Sequence, residues 1–349
     1  MMQLEKLVRK NILSLKPYTS ARDIYQDGVF LDANENSFGS VINSHVADLN
    51  RYPDPHQKEI RNALSDYLKI NSSKLFFGVG SDEIIDLVIR IFCKPEKSNV
   101  IIPQPTYGMY KVSCDINDVE IKNCNLDFNF DLDVDSILNL VDDETRIVFL
   151  CSPNNPTGNL LENDKIKLLA ESFTGIIFID EAYAEFAEDK SFISELNEHK
   201  NIIISRTFSK AWGLAAARCG YCIANEFIID LLFKIKAPYT ISKFTSSAVL
   251  DALNNVDRKD VFVKNILLEK VRLIDELNSL SKVKNIFPSD ANFLLVEMTD
   301  AESVFNFLNK NGIRVRMRKD DLRLINCLRI TVGNEDENNL LLKTLREFE

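Results

Sequence analysis

The stretch RIVFLCSPNNPTGNLLENDKIKLLAESFTGIIFID, residues 146 to 180, decides the fold. Two continuous apolar runs, 146–152 and 175–180, bracket a helical pattern, and neither run alternates polar with apolar residues. Strands of that texture are covered by helices on both faces. The same rhythm recurs on either side, with strand candidates at 100–103, 201–207 and 219–224. Between them lie helical stretches such as 81–93, whose Ile84, Ile85, Val88, Ile91 and Phe92 share one stripe. The alternation predicts an α/β fold built on a mostly parallel, mixed sheet. From about residue 245 the texture changes. A long helical pattern from 258 to about 280 precedes isolated strands at 293–297 and 328–332, which reads as a smaller α+β unit. Residues 1–38 are expected to form an N-terminal arm and part of that small domain, 39–245 the large domain, and 246–349 the rest of the small one.

Composition agrees with this reading and narrows the function. At 349 residues the chain is about two domains' worth. Its 45% hydrophobic and 27% charged residues are ordinary globular usage, which excludes a disordered or fibrous chain. Lys+Arg number 42 against 52 Asp+Glu, and a net charge of −10 repels phosphate backbones, so no nucleic-acid partner is expected. No apolar run approaches the roughly 18 residues of a membrane helix, so no membrane partner is expected either. The start, MMQLEKLVRKN, lacks the apolar core of a signal peptide, which makes the cytoplasm the expected compartment. Seven scattered cysteines fit that compartment. Cys219 and Cys222 form a C-x-x-C pair, but RCGYCIA reads as a strand, and the only histidines, His45, His56 and His199, lie far off. Small buried hydrophobes are the better reading than a zinc or redox site, and no metal is expected.

Four segments carry chemistry. In FFGVGSDEIIDLVIR (76–90) a strand end, two glycines and a helix start bring free N–H groups to a positive dipole end, an anion cradle. A dinucleotide fingerprint would need glycine where Glu83 stands. The plainer alternative is a turn in which Ser81 caps the helix. In CSPNNPTGNL (151–160) prolines and a glycine make a rigid loop at a strand's carboxyl end, with Asn154 and Asn155 as neutral donors. In IIFIDEAYAEF (176–186) Asp180 ends an apolar strand, where an unpaired carboxylate is costly and calls for a cation, and Tyr183 brings a phenol nearby. In ISRTFSKAWGLAAARCG (204–220) Lys210 follows a strand in a turn with Ser209, and Arg218 lies eight positions on. A lysine so placed suits Schiff-base chemistry, and the hydroxyl and guanidinium suit a phosphate. One ligand would need all four: a phosphate, a ring nitrogen that takes a carboxylate, a ring oxygen that takes donors and an aldehyde that takes an amine. Pyridoxal 5′-phosphate has them.

SPNNPTG, IDEAY and RTFSKAWGLAAARCG, in this order, resemble the type I fold of the pyridoxal-phosphate aminotransferases. Through LKPYTSAR, LDANENSFG, RYPDP, PTYGMY, APYTIS and CLRITVG the chain is similar to the histidinol-phosphate aminotransferase family, from about residue 15 to 333. The resemblance implies an aminotransferase of histidine biosynthesis that converts histidinol phosphate and 2-oxoglutarate to imidazole-acetol phosphate and glutamate. Alternatives on the same fold are an aromatic amino-acid transaminase and an amino-acid-phosphate decarboxylase. A non-catalytic regulator would need a DNA-binding module for which the chain has neither room nor basic patch.

The resemblance also implies residue roles. Lys210 binds the cofactor aldehyde and shuttles the proton, Asp180 pairs with the pyridine nitrogen, and Asn155 and Tyr183 donate to the ring oxygen. Tyr107 stacks on the ring, while Tyr110 is expected only to pack. The backbone N–H groups of Ser81 and Asp82, the Ser209 hydroxyl and the Arg218 guanidinium take the phosphate, joined by Tyr52 from the neighbouring subunit of a homodimer. For the substrate, Arg316 and Arg329 match the family's anion-binding arginines, Tyr18 its phosphate-contacting tyrosine, and Asn155 lines the same pocket. Asn34 and Glu35 lie in the matching loop without an assigned role. Arg314, Arg318 and Lys319 read as a solvated strand face. The sequence departs from the family at Ser37 (NENS for NENP), at Val79 (GVGSDE for GNGSDE) and in the AAAR around Arg218. Asp131, Asp133 and Asp135 mimic the start of a calcium loop, but Ser136 and Asp142 stand where glycine and glutamate are needed. A charged loop leading into a helix around 137–141 explains them better.

Overall fold

The computed structural model of the chain describes residues 2–24, 27–187, 190–318 and 321–348. Lys319 lies outside them. The strands are β1 (Leu75–Val79), β2 (Asn99–Gln104), β3 (Glu120–Asn125), β4 (Thr145–Cys151), β5 (Ile176–Asp180), β6 (Ile202–Thr207), β7 (Cys219–Ala224), β8 (Val283–Ile286), β9 (Phe293–Met298), β10 (Arg316–Met317) and β11 (Cys327–Thr331). They form a seven-stranded sheet, order β1-β7-β6-β5-β4-β2-β3, and a four-stranded sheet, order β10-β11-β9-β8. In the large sheet only β7 runs against its neighbours, in register with β1 from Gly78↔Gly220 and with β6 from Thr207↔Gly220. The other pairings are parallel. The small sheet is antiparallel throughout.

Each apolar run expected to be a strand is one, within a residue at either end. The sequence reading left out β3, β8 and β10. β3 and β8 are edge strands with exposed polar faces (EIKNCN, VKNI), and β10 is two residues long, so none offers an apolar run. The two faces of the large sheet carry separate cores. Helices Gly80–Phe92 and Glu226–Ile235 cover one, burying Ile84, Val88, Phe92, Ile228 and Leu232. Helix Asn163–Ser172 covers the other, burying Ile166 and Leu169. The long helix spans Val256–Asn278 and packs Leu273 and Leu277 on the small sheet with Leu341 and Leu345 of the C-terminal helix. The N-terminal segment, expected to join the small unit, instead packs Leu4 and Val8 into the core beneath helix Gly80–Phe92. The Arg9 N–H also donates to Ile91 O at 3.0 Å. Buried area decides here: a short amphipathic segment goes where an apolar surface is open.

Because β1, β2, β4, β5 and β6 all point one way, their carboxyl ends converge on a single edge of the sheet. Asp180, Cys151, Thr207, Val79 and Gln104 end there, and open α/β sheets bind ligands at that edge.

Candidate active site

A cavity of about 550 Å³ opens at this edge. Its wall includes Ser81, Asp82, Tyr107, Asn155, Asp180, Tyr183, Ser209, Lys210, Arg218, Arg316 and Arg329, residues scattered over some 250 positions of sequence. Tyr18 and Tyr52 are not part of the wall.

At one end stands helix Gly80–Phe92. Ser81 is not its cap: the N-cap position falls on Val79, with no side-chain cap bond, and the Glu83 carboxylate takes the Val79 N–H at 2.6 Å. The N–H groups of Ser81 and Asp82 in the first turn therefore keep their hydrogen-bonding capacity toward the cavity. Gly80 has φ +73°, and a Cβ there would meet the Arg218 guanidinium at 2.8 Å. Arg218, itself at φ +50°, takes the Gly80 N–H on its carbonyl at 3.0 Å and sets its guanidinium 3.5 Å from Asp82. The Ser209 hydroxyl lies 2.9 Å from that of Thr207, at the end of β6. First-turn N–H groups, a guanidinium and two hydroxyls make a donor set for a phosphate.

Deeper in, Asp180 is 2% exposed, and burial lifts its carboxyl to about 6 against the partial relief of two hydrogen bonds. Those bonds come from the Tyr110 hydroxyl (2.9 Å to Oδ2) and the Ala182 N–H (3.1 Å to Oδ1). Among the described residues no cation forms an ion pair with Asp180, and the charge of Lys210 acts on it only through space. A buried acid without its own cation, facing a cavity, fits a cationic ring nitrogen. Lys210 also lines the cavity. Burial, then the positive charge of Arg329, lowers its ammonium below the usual lysine range, which favours the neutral, nucleophilic amine. Its Nζ lies 5.5 Å from the Tyr183 ring centre.

The loop after β4 separates its two asparagines. Asn154 turns inward, donating to Pro105 O (2.9 Å) and Thr157 Oγ1 (2.8 Å) while accepting from Thr106, and so pins the loop. Asn155 faces the cavity, with its amide 3.5 Å from the Tyr183 hydroxyl and its carbonyl accepting from Arg329. Tyr107 donates to Asp82 at 3.1 Å and meets Tyr110 edge-on. Tyr110, expected only to pack, does pack on Phe149 and also reaches Asp180; an aromatic spacing in sequence cannot show where a hydroxyl ends. At the mouth, Arg316 of β10 lies opposite Arg329 of β11. Arg318, just past the end of β10 and expected to face solvent, joins the same wall. No sequence signal marks it, because a two-residue strand shows no alternation.

Tyr18 is 77% exposed and lines a separate groove against helix Glu226–Ile235. Tyr52 stacks on Tyr239, centroids 4.4 Å apart at 14°. Glu35 acts as a clip: its carboxylate accepts the Tyr52 N–H at 2.7 Å and pairs with Arg22 and Arg51, each at 2.9 Å. Asn34 lies beside it at φ +55°. Of the acidic trio, Asp133 caps helix Val134–Asn139 and Asp131 pairs with Lys165 at 2.7 Å, so the helix start is three residues earlier than expected. Cys219 and Cys222 are buried in β7 as free thiols.

The family model described as aminotransferase class I and II matches residues 27–345, and the chain belongs to that class. Within it the relatives are specific. A histidinol-phosphate aminotransferase of Cytophaga hutchinsonii is 47% identical over 347 residues, 99% of each chain, and one of Bacteroides thetaiotaomicron is 44% identical over the whole of both. The chain is a member of the histidinol-phosphate aminotransferase family. The crystal structure of the histidinol-phosphate aminotransferase from Clostridium acetobutylicum superposes with a TM-score of 0.79 at 28% identity, covering 86% of this chain and 91% of that one. That of the Sinorhizobium meliloti enzyme in complex with pyridoxal-5′-phosphate has the same fold, TM-score 0.79 at 24% identity, over 91% and 90% of the chains.

Proposed function

We propose that this cavity transfers the amino group of histidinol phosphate to 2-oxoglutarate, giving imidazole-acetol phosphate and glutamate, reversibly, as a step of histidine biosynthesis. Pyridoxal 5′-phosphate is the coenzyme, and its cationic ring, when bound, accepts the electron pair left as a proton leaves the substrate carbon. The remaining work falls to side chains. Asp180 Oδ atoms hold the proton of the ring nitrogen in place. Lys210 Nζ would hold the coenzyme through its aldehyde and, once the substrate amine has displaced it, would serve as the free amine that takes the proton from the substrate carbon and delivers it to the coenzyme carbon. Asn155 and Tyr183 donate to the ring oxygen, and Tyr107 covers the ring face. The N–H groups of Ser81 and Asp82, the Ser209 hydroxyl and Arg218 bind the coenzyme phosphate.

One observation carries this reading: a buried acid without a cation and a lysine of lowered basicity share a cavity with two separate cationic poles. The pole at Ser81 and Arg218 suits the coenzyme. The pole at Arg316 and Arg329, with Asn155, suits the anionic end of a substrate, since a guanidinium fork accepts phosphate and carboxylate alike. Histidinol phosphate and glutamate need such a shared pocket.

We further propose a homodimer in which Tyr52, and with it the N-terminal arm bearing Tyr18, serves the neighbouring active site. Both tyrosines lie outside their own chain's cavity, and Val29, Leu31 and Phe38 expose their apolar side chains on the arm that bears Tyr18. The large unit, 39–245, would hold the coenzyme and 246–349 the substrate arginines. No described helix is long and apolar enough to cross a membrane, and seven unpaired cysteines suit a reducing cytoplasm.

The reaction is tested by incubating the coenzyme-loaded protein with histidinol phosphate and 2-oxoglutarate and measuring glutamate. Absence of glutamate, together with turnover of an aromatic amino acid or release of carbon dioxide from an amino-acid phosphate, would overturn the assignment.

A further inference from the structure

We propose that Tyr110 is a positioning residue for Asp180: its hydroxyl holds one carboxylate oxygen and keeps that group a weak base, so that the proton shared with a bound cationic ring stays on the ring. The proposal rests on the reading of Asp180 as the coenzyme's acid.

The geometry leaves Tyr110 little choice. It lies in helix Met109–Ile116, fully buried, its ring stacked on Phe149 of β4 at 5.0 Å and 14° and met edge-on by Tyr107 at 5.5 Å and 86°. Helix, strand and loop thus fix the ring plane, and the hydroxyl ends 2.9 Å from Asp180 Oδ2. Oδ1 takes the Ala182 N–H, so each oxygen has one donor and keeps a lone pair for a cation. Among the described residues no other side chain donates to this carboxylate. The titratable groups around it are Asp82 from helix Gly80–Phe92, Tyr107 from the loop before helix Met109–Ile116, Cys151 from β4, Tyr183 from its own loop and Lys210 from the loop after β6. Asp82 works to raise the carboxyl and Lys210 to lower it; both act through space, whereas Tyr110 acts by a direct bond.

A donor to a carboxylate stabilises its ionised form. Without it, Asp180 becomes the stronger base, takes a larger share of the shared proton, and leaves the ring less able to accept electrons. A tyrosine that merely fills space would have neither effect.

The test uses Tyr110→Phe, which keeps the ring stack, and reads the cofactor-free protein, so it does not depend on the assigned reaction. In protein labelled with 13Cγ-aspartate, the Asp180 carboxyl is expected to titrate about one pH unit higher in the variant, a roughly tenfold gain in proton affinity. In the loaded enzyme kcat is expected to fall about tenfold while KM changes less than twofold. An unchanged midpoint in folded variant overturns the proposal, whatever happens to activity. Should the variant fail to fold, 13Cζ-tyrosine labelling of the native chain replaces it: the Tyr110 signal is expected to shift through the same midpoint as Asp180, and independence of the two signals overturns the proposal. Loss of transaminase activity in the native enzyme with both titrations as expected would instead count against the assigned reaction.

Discussion

Gly220 of β7 lies against the peptide between Gly80 and Ser81, so closely that a Cβ on Gly220 would sit 2.4 Å from Ser81 N and 2.5 Å from Gly80 C. Both atoms are backbone and cannot rotate away. The antiparallel strand thus presses on the first turn of the helix that points its N–H groups into the cavity, and the absence of a side chain sets where those groups stand. Gly220→Ala must displace that turn. Overpacking of this kind costs about 1–3 kcal/mol, and most of it falls on the phosphate cradle. The variant is expected to lose tenfold or more in pyridoxal-phosphate affinity, measured by absorbance titration of the cofactor-free protein. Unchanged affinity would show that the turn relaxes without cost.

The loaded enzyme offers a second test, at Lys210 and Asp180. Borohydride reduction followed by peptide mass mapping is expected to place the pyridoxyl group on Lys210, and Lys210→Ala to lose both the adduct and the activity. Asp180→Ala is expected to keep the fold, since Tyr110 and Ala182 lose only an acceptor, yet to lose activity by orders of magnitude. Full activity in either variant would contradict the roles proposed.

Burial of Asp180 makes the cofactor-free protein sensitive to pH in a definite direction. The carboxyl ionises near 3.8 when unfolded and at about 6 when folded, lifted by burial. Below 3.8 both states hold the proton and nothing is lost. Between the two values only the unfolded state is ionised, so stability falls as pH rises, by about 3 kcal/mol in all. A bound cationic ring offsets that loss. The rise in Tm on adding pyridoxal phosphate is therefore expected to be larger at pH 8 than at pH 5, by differential scanning calorimetry. An equal or smaller rise at pH 8 would mean that Asp180 does not meet a cation there.

Much of this site was legible in sequence because strand ends announce themselves. Asp180, Thr207 and Cys151 close apolar runs, and in a parallel sheet all such ends share an edge, so Lys210 and Asn155 follow from topology. What stayed hidden depends on side-chain direction or on contacts distant in sequence. PTYGMY shows two tyrosines without showing that one stacks toward the cavity while the other reaches an acid 70 positions on. Arg318 was hidden because β10 is too short to display a period. Leu4 and Val8 carry a stripe that fits either core, and only the open surface near helix Gly80–Phe92 chooses between them.

The substrate pole separates by residue. Arg329 donates to Asn155, and its guanidinium, held below the usual range by burial, is one cause of the lowered basicity of Lys210, after burial. Arg329→Ala is expected to raise KM for both histidinol phosphate and glutamate at least tenfold and to move the Lys210 titration upward. Arg318→Gln is expected to raise KM for histidinol phosphate severalfold while leaving coenzyme affinity unchanged. Loss of coenzyme affinity in Arg318→Gln would assign that arginine to the other pole.

Sharing of the active site between two chains is tested by complementation. Tyr52 stacks on Tyr239 and its N–H is held by Glu35, so its ring and backbone are fixed at a surface away from its own cavity. If the hydroxyl serves a neighbour, Tyr52→Ala impairs the partner's site and Lys210→Ala destroys its own. Each homodimer is then weak or inactive, yet a mixed dimer has one site with both residues intact. Mixing the two variants under conditions of subunit exchange is expected to restore up to about a quarter of native activity, since half the dimers are mixed and each has one working site. Sedimentation velocity must first show a dimer. A monomer, or a dimer whose mixed form regains nothing, would confine Tyr52 to its own chain.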